Sequence, residues 1–288
     1  MKIFHRIVLG VDFSESSEKA LDWATYIAGK MNSTLDVIHV AESVPPYYRA
    51  ILGWTTILDE NANRVKEEIH RKLADLKEEI QREKALGEVN IYLREGDPHW
   101  NIVDFADSHK ASLVVLGPSR GGNYIGSVAS EVASLSPTNV LITSGNRSPS
   151  IRKIAIATDF SRAARNAFLL GVAIAKAFDA DLYHVHVLEG NRLDPFIKGH
   201  EHLKDELLAE LNIELNKIMG NVNIIPYIIQ EGFDGYALSD WANENDIDMI
   251  ILSYRGHNER TRFLGHFAEE VLFSSRVPVM IVRKFFDR

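Results

Sequence analysis

The chain has 288 residues and repeats itself, and this duplication limits the folds that it can adopt. The stretch IVLGVDFS at 7–14 returns as IAIATDFS at 154–161, and LDVIHV at 35–40 returns as LYHVHV at 182–187. Both pairs are 147 residues apart, so the motifs keep their order and spacing. Repeats of this kind indicate two copies of one structural unit.

The later motifs of each copy repeat at a smaller offset. SLVVLG at 112–117 matches DMIILS at 248–253, which is 136 residues further on. GSVASEV at 126–132 matches GHFAEEV at 265–271, which is 139 residues further on. The offset changes only between motifs, where loops absorb insertions and deletions. The middle of the first copy therefore carries 11 extra residues.

A short polar segment separates the two copies. It reads SGNRSPSIRK, at 144–153, and its Ser, Gly, Pro and charged residues are typical of a linker. We expect one domain over residues 1–146 and a second domain over residues 151–288.

Each copy alternates short apolar runs with segments of helical periodicity. The apolar runs are continuous in Val, Ile and Leu, which is typical of parallel strands buried on both faces. One helix is predicted over 15–31, behind Ser14, and a long charged helix over 61–84. Strands that alternate with helices form right-handed βαβ crossovers. We therefore predict an α/β fold of two tandem doubly wound domains, each a five-stranded parallel sheet with helices on both faces.

The last apolar run of each copy predicts how the copies pair. These runs are VLIT at 140–143 and VMIV at 279–282. Apolar strands at the edge of a sheet promote aggregation unless another strand covers them. We expect the two runs to cover each other, so that the copies form a pseudo-two-fold dimer within one chain. Whether two chains pair further as a homodimer stays open.

Composition narrows the range of partners. The formal net charge is −8 and there is no long basic run, which disfavours nucleic acid, because neutralising phosphates requires a positive surface. The chain has no cysteine, which excludes disulfides and thiolate sites. No stretch approaches the roughly 18 continuous apolar residues of a membrane span, and no signal peptide precedes the first predicted strand. We therefore expect a cytoplasmic protein without a membrane partner.

The turn LVVLGPSRGGNYIGSVASEV at 113–132 supports two interpretations. Its G-P-S-R-G matches the nucleophile elbow of hydrolases, which makes Ser119 a candidate nucleophile. Alternatively, Gly126 and Ser127 begin a helix, where unpaired backbone N–H groups bind phosphate. The second copy carries Arg255 in place of Ser119, so only the phosphate-binding interpretation holds for both copies.

Together these motifs resemble the universal stress protein family, and the whole chain resembles a tandem member of it. The resemblance rests on G-V-D-F-S and A-T-D-F-S, on V-I-H-V and H-V-H-V, on E-G-D-P and on the glycine turn. It implies an adenine-nucleotide-binding protein of the stress response that acts by binding rather than by turnover. By resemblance, the nucleotide would contact Val11, Asp12, Val40, Gly117, Gly126, Ser127 and Val128 in the first copy, and Thr158, Asp159, Val187, Ser253, Gly256, Gly265, His266 and Phe267 in the second.

Neither copy keeps the G-x2-G-x9-G-[ST] pattern of the nucleotide-binding members. The first copy keeps its Gly-Ser pair, but its loop is four residues short and Arg120 stands at the middle glycine. The second copy is one residue short and has Ser253 and His266 in place of the first glycine and the hydroxyl residue. Arg120 is suited to pairing with a phosphate, and a short loop suits a smaller ligand, so ATP and AMP are both candidates. The intact Gly-Ser pair slightly favours the first copy.

Three functions stay open at this point. The first is nucleotide binding, and the second is an interaction protein whose pockets are degenerate and empty. The third is slow ATP hydrolysis, with Mg²⁺ held by Asp12 or Asp159. Either aspartate would serve equally well as a cap for the helix that follows it.

Two further features have a functional and a simpler interpretation. His184 and His186 lie on one face of a predicted strand and form a candidate metal pair, although core or pocket lining is the simpler role. The aromatic segment 45–54 forms a lid, an interface patch or, more simply, a loop packed over the sheet.

Overall fold

Strands and helices alternate along both halves of the chain. The structure, a computed structural model, describes residues 3–41, 55–83, 86–118, 125–144, 148–159, 161–187, 222–229, 234–255 and 264–283. The first half contains β1 (Arg6–Gly10), α1 (Glu15–Met31), β2 (Thr34–Ala41), α2 (Thr55–Glu83), β3 (Val89–Glu95), α3 (Pro98–Ser108), β4 (Leu113–Leu116), α4 (Ser127–Leu135) and β5 (Asn139–Ile142). The second half contains β6 (Lys153–Ala157), α5 (Arg162–Phe178), β7 (Asp181–Val187), β8 (Ile224–Ile229), α6 (Asp234–Glu244), β9 (Met249–Ser253), α7 (His266–Ser274) and β10 (Val279–Val282).

The ten strands that the structure describes form a single sheet, in the order β3-β2-β1-β4-β5-β10-β9-β6-β7-β8. Neighbouring strands within each half are parallel. The halves join through β5 and β10, which are antiparallel, with Leu141 opposite Met280. The predicted α/β fold, with five parallel strands in each half and pairing through the last strands, is confirmed.

The antiparallel junction also sets the relative direction of the two halves. Because β5 and β10 run in opposite directions, every strand of the second half runs against the strands of the first. The strands of the two halves therefore end at opposite edges of the common sheet. In doubly wound sheets, ligands bind beyond the carboxyl ends of the strands. The fold accordingly provides two separate candidate edges, one for each half.

Helices cover both faces of the sheet and enclose two apolar cores. α1, α2 and α5 lie on one face, where Ile7, Leu73 and Ile174 are buried. α3, α4, α6 and α7 lie on the other face, where Phe105 and Val271 are buried. A sheet that is covered on both faces requires strands that are apolar on both sides, which explains the continuous Val, Ile and Leu runs of the sequence.

The duplication extends to the ends of the first helix of each half. α1 and α5 both have 17 residues and begin behind Ser14 and Ser161, whose hydroxyls accept first-turn N–H groups at 3.3 and 3.1 Å. Both helices end at a residue in the left-handed conformation, Asn32 with φ 52° and Asp179 with φ 57°. Asn and Asp tolerate this conformation better than most residues, so both termini follow from local sequence.

The longest helix of the described residues is α2, with 29 residues. It begins at Thr55, six residues before the start predicted from its charge pattern, and it ends at Glu83. Leu73 and Ile80 lie on its buried stripe, as the helical spacing predicts. Neither α2 nor any other helix of the described residues combines the length and the apolar character needed to cross a membrane.

Candidate functional site

The turn after β1 is held by backbone and imidazole hydrogen bonds in the first half. The N–H of Val11 donates to the carbonyl of Ile38 at 2.9 Å, and Nδ1 of His39 lies 2.7 Å from the carbonyl oxygen of Val11. A carbonyl only accepts hydrogen bonds, so Nδ1 of His39 carries the proton and donates. The backbone of Val11 is thus fixed where β1 and β2 end.

The second half repeats this arrangement. The N–H of Thr158 donates to the carbonyl of Val185 at 2.9 Å, and Nδ1 of His186 donates to the carbonyl of Thr158 at 2.7 Å. The sequence matched His39 to His186 by the repeat but did not indicate this role. The presence of a histidine at the same position of both copies was the sequence signal for this shared role.

The aspartates that follow these residues stabilise a turn. Oδ1 of Asp12 accepts hydrogen bonds from the N–H of Ser14 at 3.1 Å and from its hydroxyl at 2.5 Å. Oδ1 of Asp159 likewise accepts from the N–H of Ser161 at 3.0 Å. Each serine is the N-cap of the next helix, so each aspartate orients a helix start. The interpretation of these aspartates as helix-start residues therefore has a specific structural basis, while their role as Mg²⁺ ligands stays a prediction.

The glycine that ends the fourth strand of the first half contacts α1. A Cβ on Gly117 would lie 2.5 Å from the carbonyl oxygen of Ser16 and 2.7 Å from its carbonyl carbon. Real Cβ atoms essentially never approach backbone atoms so closely. Only glycine therefore allows the end of β4 to lie against the first turn of α1.

The loops after β4 and β9 close in the same way despite their different lengths. In the first half, the N–H of Gly126 donates to the carbonyl of Pro118 at 2.5 Å. In the second half, the N–H of Gly265 donates to the carbonyl of Tyr254 at 3.0 Å. The acceptor residues Pro118 and Tyr254 directly follow Gly117 and Ser253, which occupy the first position of the glycine-loop pattern. We call each segment that this bond closes, together with the first helical turn after it, a cradle.

The helix that leaves each cradle starts without a side-chain cap. α4 has Gly126 as its N-cap and α7 has Gly265, and neither helix start receives a side-chain cap hydrogen bond. By contrast, Ser14, Asp97 and Ser161 cap α1, α3 and α5. The first N–H groups of a helix lack intrahelical acceptors and carry a partial positive charge. Of these five helix starts, those of the two cradles are therefore the ones suited to receiving an external anion.

The residues after the cradle glycines differ between the halves. Ser127 is exposed in the first half. In the second half, His266 stands at the matching position, with its Nε2 3.1 Å from Oε1 of Glu270 and its side chain 80% exposed. The first half thus offers a hydroxyl beside the helix start, whereas the second offers an imidazole that is paired with a carboxylate.

Four of the predicted contact residues use their side chains for packing. These residues are half-buried and pack against the core beneath α3, α4, α6 and α7; they are Val40, Val128, Val187 and Phe267. Any contact that these four residues make with a polar ligand would therefore use their backbone groups. Ser253 donates its hydroxyl to the carbonyl of Arg255 at 2.6 Å, within the second cradle.

Comparison with known proteins identifies the family of this chain. The family model that describes the universal stress protein family matches residues 3–144 and again residues 150–283. The chain belongs to the universal stress protein family. Its two matches, one in each half, agree with a tandem member.

Relatives of this universal stress protein cover one half at a time. Universal stress protein YxiE of Bacillus subtilis is 32% identical over 149 residues, which are 49% of this chain and 99% of that protein. Universal stress protein MJ0531 of Methanocaldococcus jannaschii is 31% identical over 144 residues, which are 46% of this chain and 82% of that protein.

Solved structures resemble this universal stress protein along its whole length. A universal stress protein from Archaeoglobus fulgidus superposes with a TM-score of 0.73 and covers 98% of both chains. The sequence identity of this pair is 19%. At this identity the likeness shows that the fold is shared.

Several predicted residues of this universal stress protein lie outside the described residues. They include the inner loop positions Arg120 and Gly256 of the two cradles. They also include Ser119 and the aromatic segment 45–54, which the sequence singled out. Their proposed contacts stay predictions.

A pair of glutamates that sequence reasoning missed anchors the helices beside the cradles. Oε2 of Glu131 on α4 lies 2.8 Å from Nδ1 of His99, which is also 2.6 Å from Oδ1 of Asp97. In the second half, Oε2 of Glu270 on α7 accepts the N–H of Gly235 directly, at 3.1 Å. The match of GSVASEV to GHFAEEV places both glutamates at one position, which was the available signal. Each glutamate joins a cradle helix to the start of its neighbouring helix.

The histidines considered as a metal pair have other surroundings. His184 is buried, with its ring centroid 4.8 Å from that of Phe168. Burial, together with the neighbouring His186, lowers the pKa of His184 to about 4. His186 holds the carbonyl of Thr158. Among the residues that the structure describes, no group of three or more His, Asp and Glu side chains could hold a metal ion.

Proposed function

We propose that this universal stress protein binds an adenine nucleotide, ATP or AMP, in at least one half, and that it acts by binding rather than by fast turnover. One observation carries the proposal. The helix starts at Gly126 and Gly265 lack a side-chain cap, although three other helix starts of the same chain are capped by Ser or Asp. An anion at either glycine would satisfy N–H groups that the protein leaves without a side-chain acceptor.

The backbone at the cradle favours a phosphate. Gly126 has φ −73° and ψ 161°, an extended conformation that any residue adopts, so its lack of a side chain is not required by backbone strain. Without a Cβ, the N-cap position leaves room for an anion next to the helix N–H groups. The exposed Ser127 would add a hydroxyl donor to the same group.

The adenosine end of the ligand would lie nearer β1 and β2. The resemblance to nucleotide-binding members implies backbone contacts at Val11 and Val40, with the ribose near Asp12. The hydrogen bond from His39 to Val11 supports this assignment, because it fixes the backbone that would line the pocket. In the second half, Thr158, Asp159 and Val187 would take the same roles.

We assign the stronger site to the first half. Ser127 keeps the hydroxyl that the family pattern carries, whereas His266 is paired with Glu270 in the second half. Arg120, at the middle position of the first loop, would supply a further cation to the phosphate.

Two substitutions and one control test the proposal. Ligand released from the purified protein is identified by mass spectrometry, and thermal unfolding is followed with ATP, ADP and AMP for the native protein and for Gly126→Val and Gly265→Val. A Cβ at Gly265 would lie 3.6 Å from its nearest backbone atom, an ordinary van der Waals contact, so the backbone admits a side chain at this position of the cradle. Gly87→Val is the control, because a Cβ there meets no atom within 4 Å.

The expected result is co-purified nucleotide and a ligand-dependent rise in Tm that Gly126→Val abolishes and Gly87→Val retains, since a ligand that binds only the folded state stabilises it. The absence of nucleotide and of any rise at millimolar ligand would overturn nucleotide binding and favour an interaction protein with empty pockets. Release of ADP or phosphate from ATP that Asp12→Asn or Asp159→Asn abolishes would instead support slow hydrolysis.

A further inference from the structure

An arginine of the second half holds the end of a first-half helix. Arg283 directly follows β10, and its Nη2 donates to the carbonyls of Ala133 at 2.8 Å and Ser134 at 2.5 Å. These carbonyls belong to the last turn of α4, where carbonyl groups have no intrahelical partner. A cation at this end is also favoured by the helix dipole. Arg283 thus serves as a C-terminal cap across the junction of the halves.

The same arginine contacts the second cradle. Its guanidinium carbon lies 4.1 Å from the ring centroid of Tyr254, and the guanidinium carbon of Arg255 lies 4.6 Å from the same centroid. The carbonyl of Tyr254 accepts the N–H of Gly265, and the N–H of Tyr254 donates to the carbonyl of Val282 at 3.2 Å. Arg283 therefore packs on the residue that closes the second cradle.

A second contact joins the same two places. The N–H of Leu264 donates to the hydroxyl oxygen of Ser134 at 3.3 Å. Leu264 directly precedes Gly265, the N-cap of α7, and Ser134 lies in the last turn of α4. The second cradle therefore contacts the end of α4 directly through Leu264, and indirectly through Arg283, which packs on Tyr254.

Helix α4 connects the two cradles physically. Its nine residues begin at Ser127, directly after the N-cap Gly126 in the first cradle, and end against Arg283 at the second, because the strands of the two halves end at opposite edges of the sheet. A helix of this length spans about 13 Å. The first turn of α4 therefore belongs to one cradle and its last turn contacts the residues of the other.

The repeat does not reproduce this arginine at the matching position of the first half. The offset of 139 residues matches Arg283 to Ser144, which has no guanidinium to cap the end of α7. Arg283 is largely buried, and this burial lowers its pKa to about 10, so it remains protonated at neutral pH. A buried cation that is held by carbonyls and a ring carries a desolvation penalty, which these contacts offset.

We infer that Arg283 couples the two cradles, so that filling the second cradle tightens ligand binding in the first. This inference rests on the proposed function. A phosphate at Gly265 orders Tyr254 and Leu264, which strengthens the hold of Arg283 and Leu264 on the last turn of α4. When the last turn of α4 is held more rigidly, the N–H groups of its first turn adopt a single arrangement. Less conformational entropy is then lost when a ligand binds to these groups. Arg283 is a positioning residue, because it acts through α4.

A calorimetric comparison of four proteins measures this coupling. They are the native chain, Gly265→Val, Arg283→Lys and the double variant, each titrated with ATP. In the native background, Gly265→Val is expected to weaken first-half binding by about fivefold, the lower end of typical coupling between sites. In the Arg283→Lys background, Gly265→Val is expected to leave first-half affinity unchanged. Ser144→Ala is the matched control and is expected to keep the fivefold effect.

Hydrogen exchange supplies a readout that needs no ligand. Gly265→Val is expected to alter the exchange of the amides in the first turn of α4 in the native background and not in the Arg283→Lys background. If Arg283→Lys does not fold, Ser134→Ala takes its place, since it removes the acceptor of Leu264 and keeps a good helix former. In the Ser134→Ala background, Gly265→Val is expected to weaken first-half binding by less than it does in the native background.

The outcomes separate this inference from the proposed function. Nucleotide binding with equal first-half affinity in all four proteins would overturn the coupling and leave the function standing. An absence of nucleotide binding would overturn the function, and the exchange comparison then decides on the coupling. If Gly265→Val leaves hydrogen exchange in the first turn of α4 unchanged, the coupling is overturned as well. If Gly265→Val alters this exchange only when Arg283 is present, the coupling is supported.

Discussion

Gly117 lies so close to Ser16 that a Cβ on the glycine would stand 2.5 Å from the serine carbonyl oxygen. This contact joins the end of β4 to the start of α1, so it brings together two motifs that are 101 positions apart. The resemblance implied that Gly117 admits a phosphate. The structure adds a second reason for glycine, which is the approach of helix α1 itself.

Gly117→Ala is expected to destabilise the protein by about 1–3 kcal/mol, since the new methyl group meets backbone atoms that cannot rotate away. Urea unfolding of the native protein and the variant measures the difference. Gly87→Ala is the matched control, because a Cβ there meets no atom within 4 Å, and its midpoint is expected to stay near that of the native protein or to rise. Equal stability of both variants would contradict the contact.

The fold was predictable because the duplication and the strand pattern agree. Apolar runs buried on both faces indicate a parallel sheet, and the exposed edges at 140–143 and 279–282 have an evident partner in each other. The pairing of β5 with β10 confirms that argument. Matching positions also aligned His39 with His186, although not their shared bond to the backbone.

The contacts of the site were less predictable than the fold, because one of them joins residues without counterparts in the other copy and others use only backbone groups. Arg283 caps a helix of the other half, and the repeat matches it to Ser144, so comparing the copies conceals its role. The bond that closes each cradle depends on backbone groups, which any residue type provides. Such contacts can be identified only from the three-dimensional structure.

Asp36→Asn is expected to destabilise the protein by about 2 kcal/mol. The Asp36 side chain is fully buried, lies 2.5 Å from Nη1 of Arg6 and also accepts a hydrogen bond from Asn90 at 3.0 Å. The substitution leaves the Arg6 charge half-buried without a counter-charge at that position. Urea unfolding at neutral pH measures the loss.

The control for Asp36→Asn is Glu15→Gln, which removes the charge of an exposed ion pair. Glu15 and Lys19 form an ion pair at 2.8 Å on the surface of α1, where solvent screens the attraction. Its urea midpoint is expected to match that of the native protein. If the buried and exposed substitutions had the same effect, burial would not be the source of the Asp36 contribution.

His184→Val is expected to make the protein less sensitive to acid. Desolvation lowers the pKa of His184 to about 4 in the fold, against 6.5 in the unfolded chain. Between these values the unfolded chain binds a proton that the native protein does not, so stability is lost as pH falls from 6.5 toward 4. The loss from this group amounts to roughly 3 kcal/mol.

The first half supplies the replacement for this experiment. Val37 occupies the position that matches His184 and is fully buried, so valine suits such a site. Urea unfolding at pH 7, 5.5 and 4 gives the slope of stability with pH. A slope that survives in His184→Val would assign the acid sensitivity to other groups.

His39→Ala is expected to weaken nucleotide binding in the first half by about tenfold, because it removes the hydrogen bond that fixes the Val11 carbonyl. His39→Asn separates this bond from the ring, since the asparagine amide places a donor near the position of Nδ1. Affinity close to native is expected for His39→Asn, as measured by titration with ATP. Equal weakening in both variants would show that the ring, which lies 4.9 Å from that of Phe13, matters more than the bond to Val11.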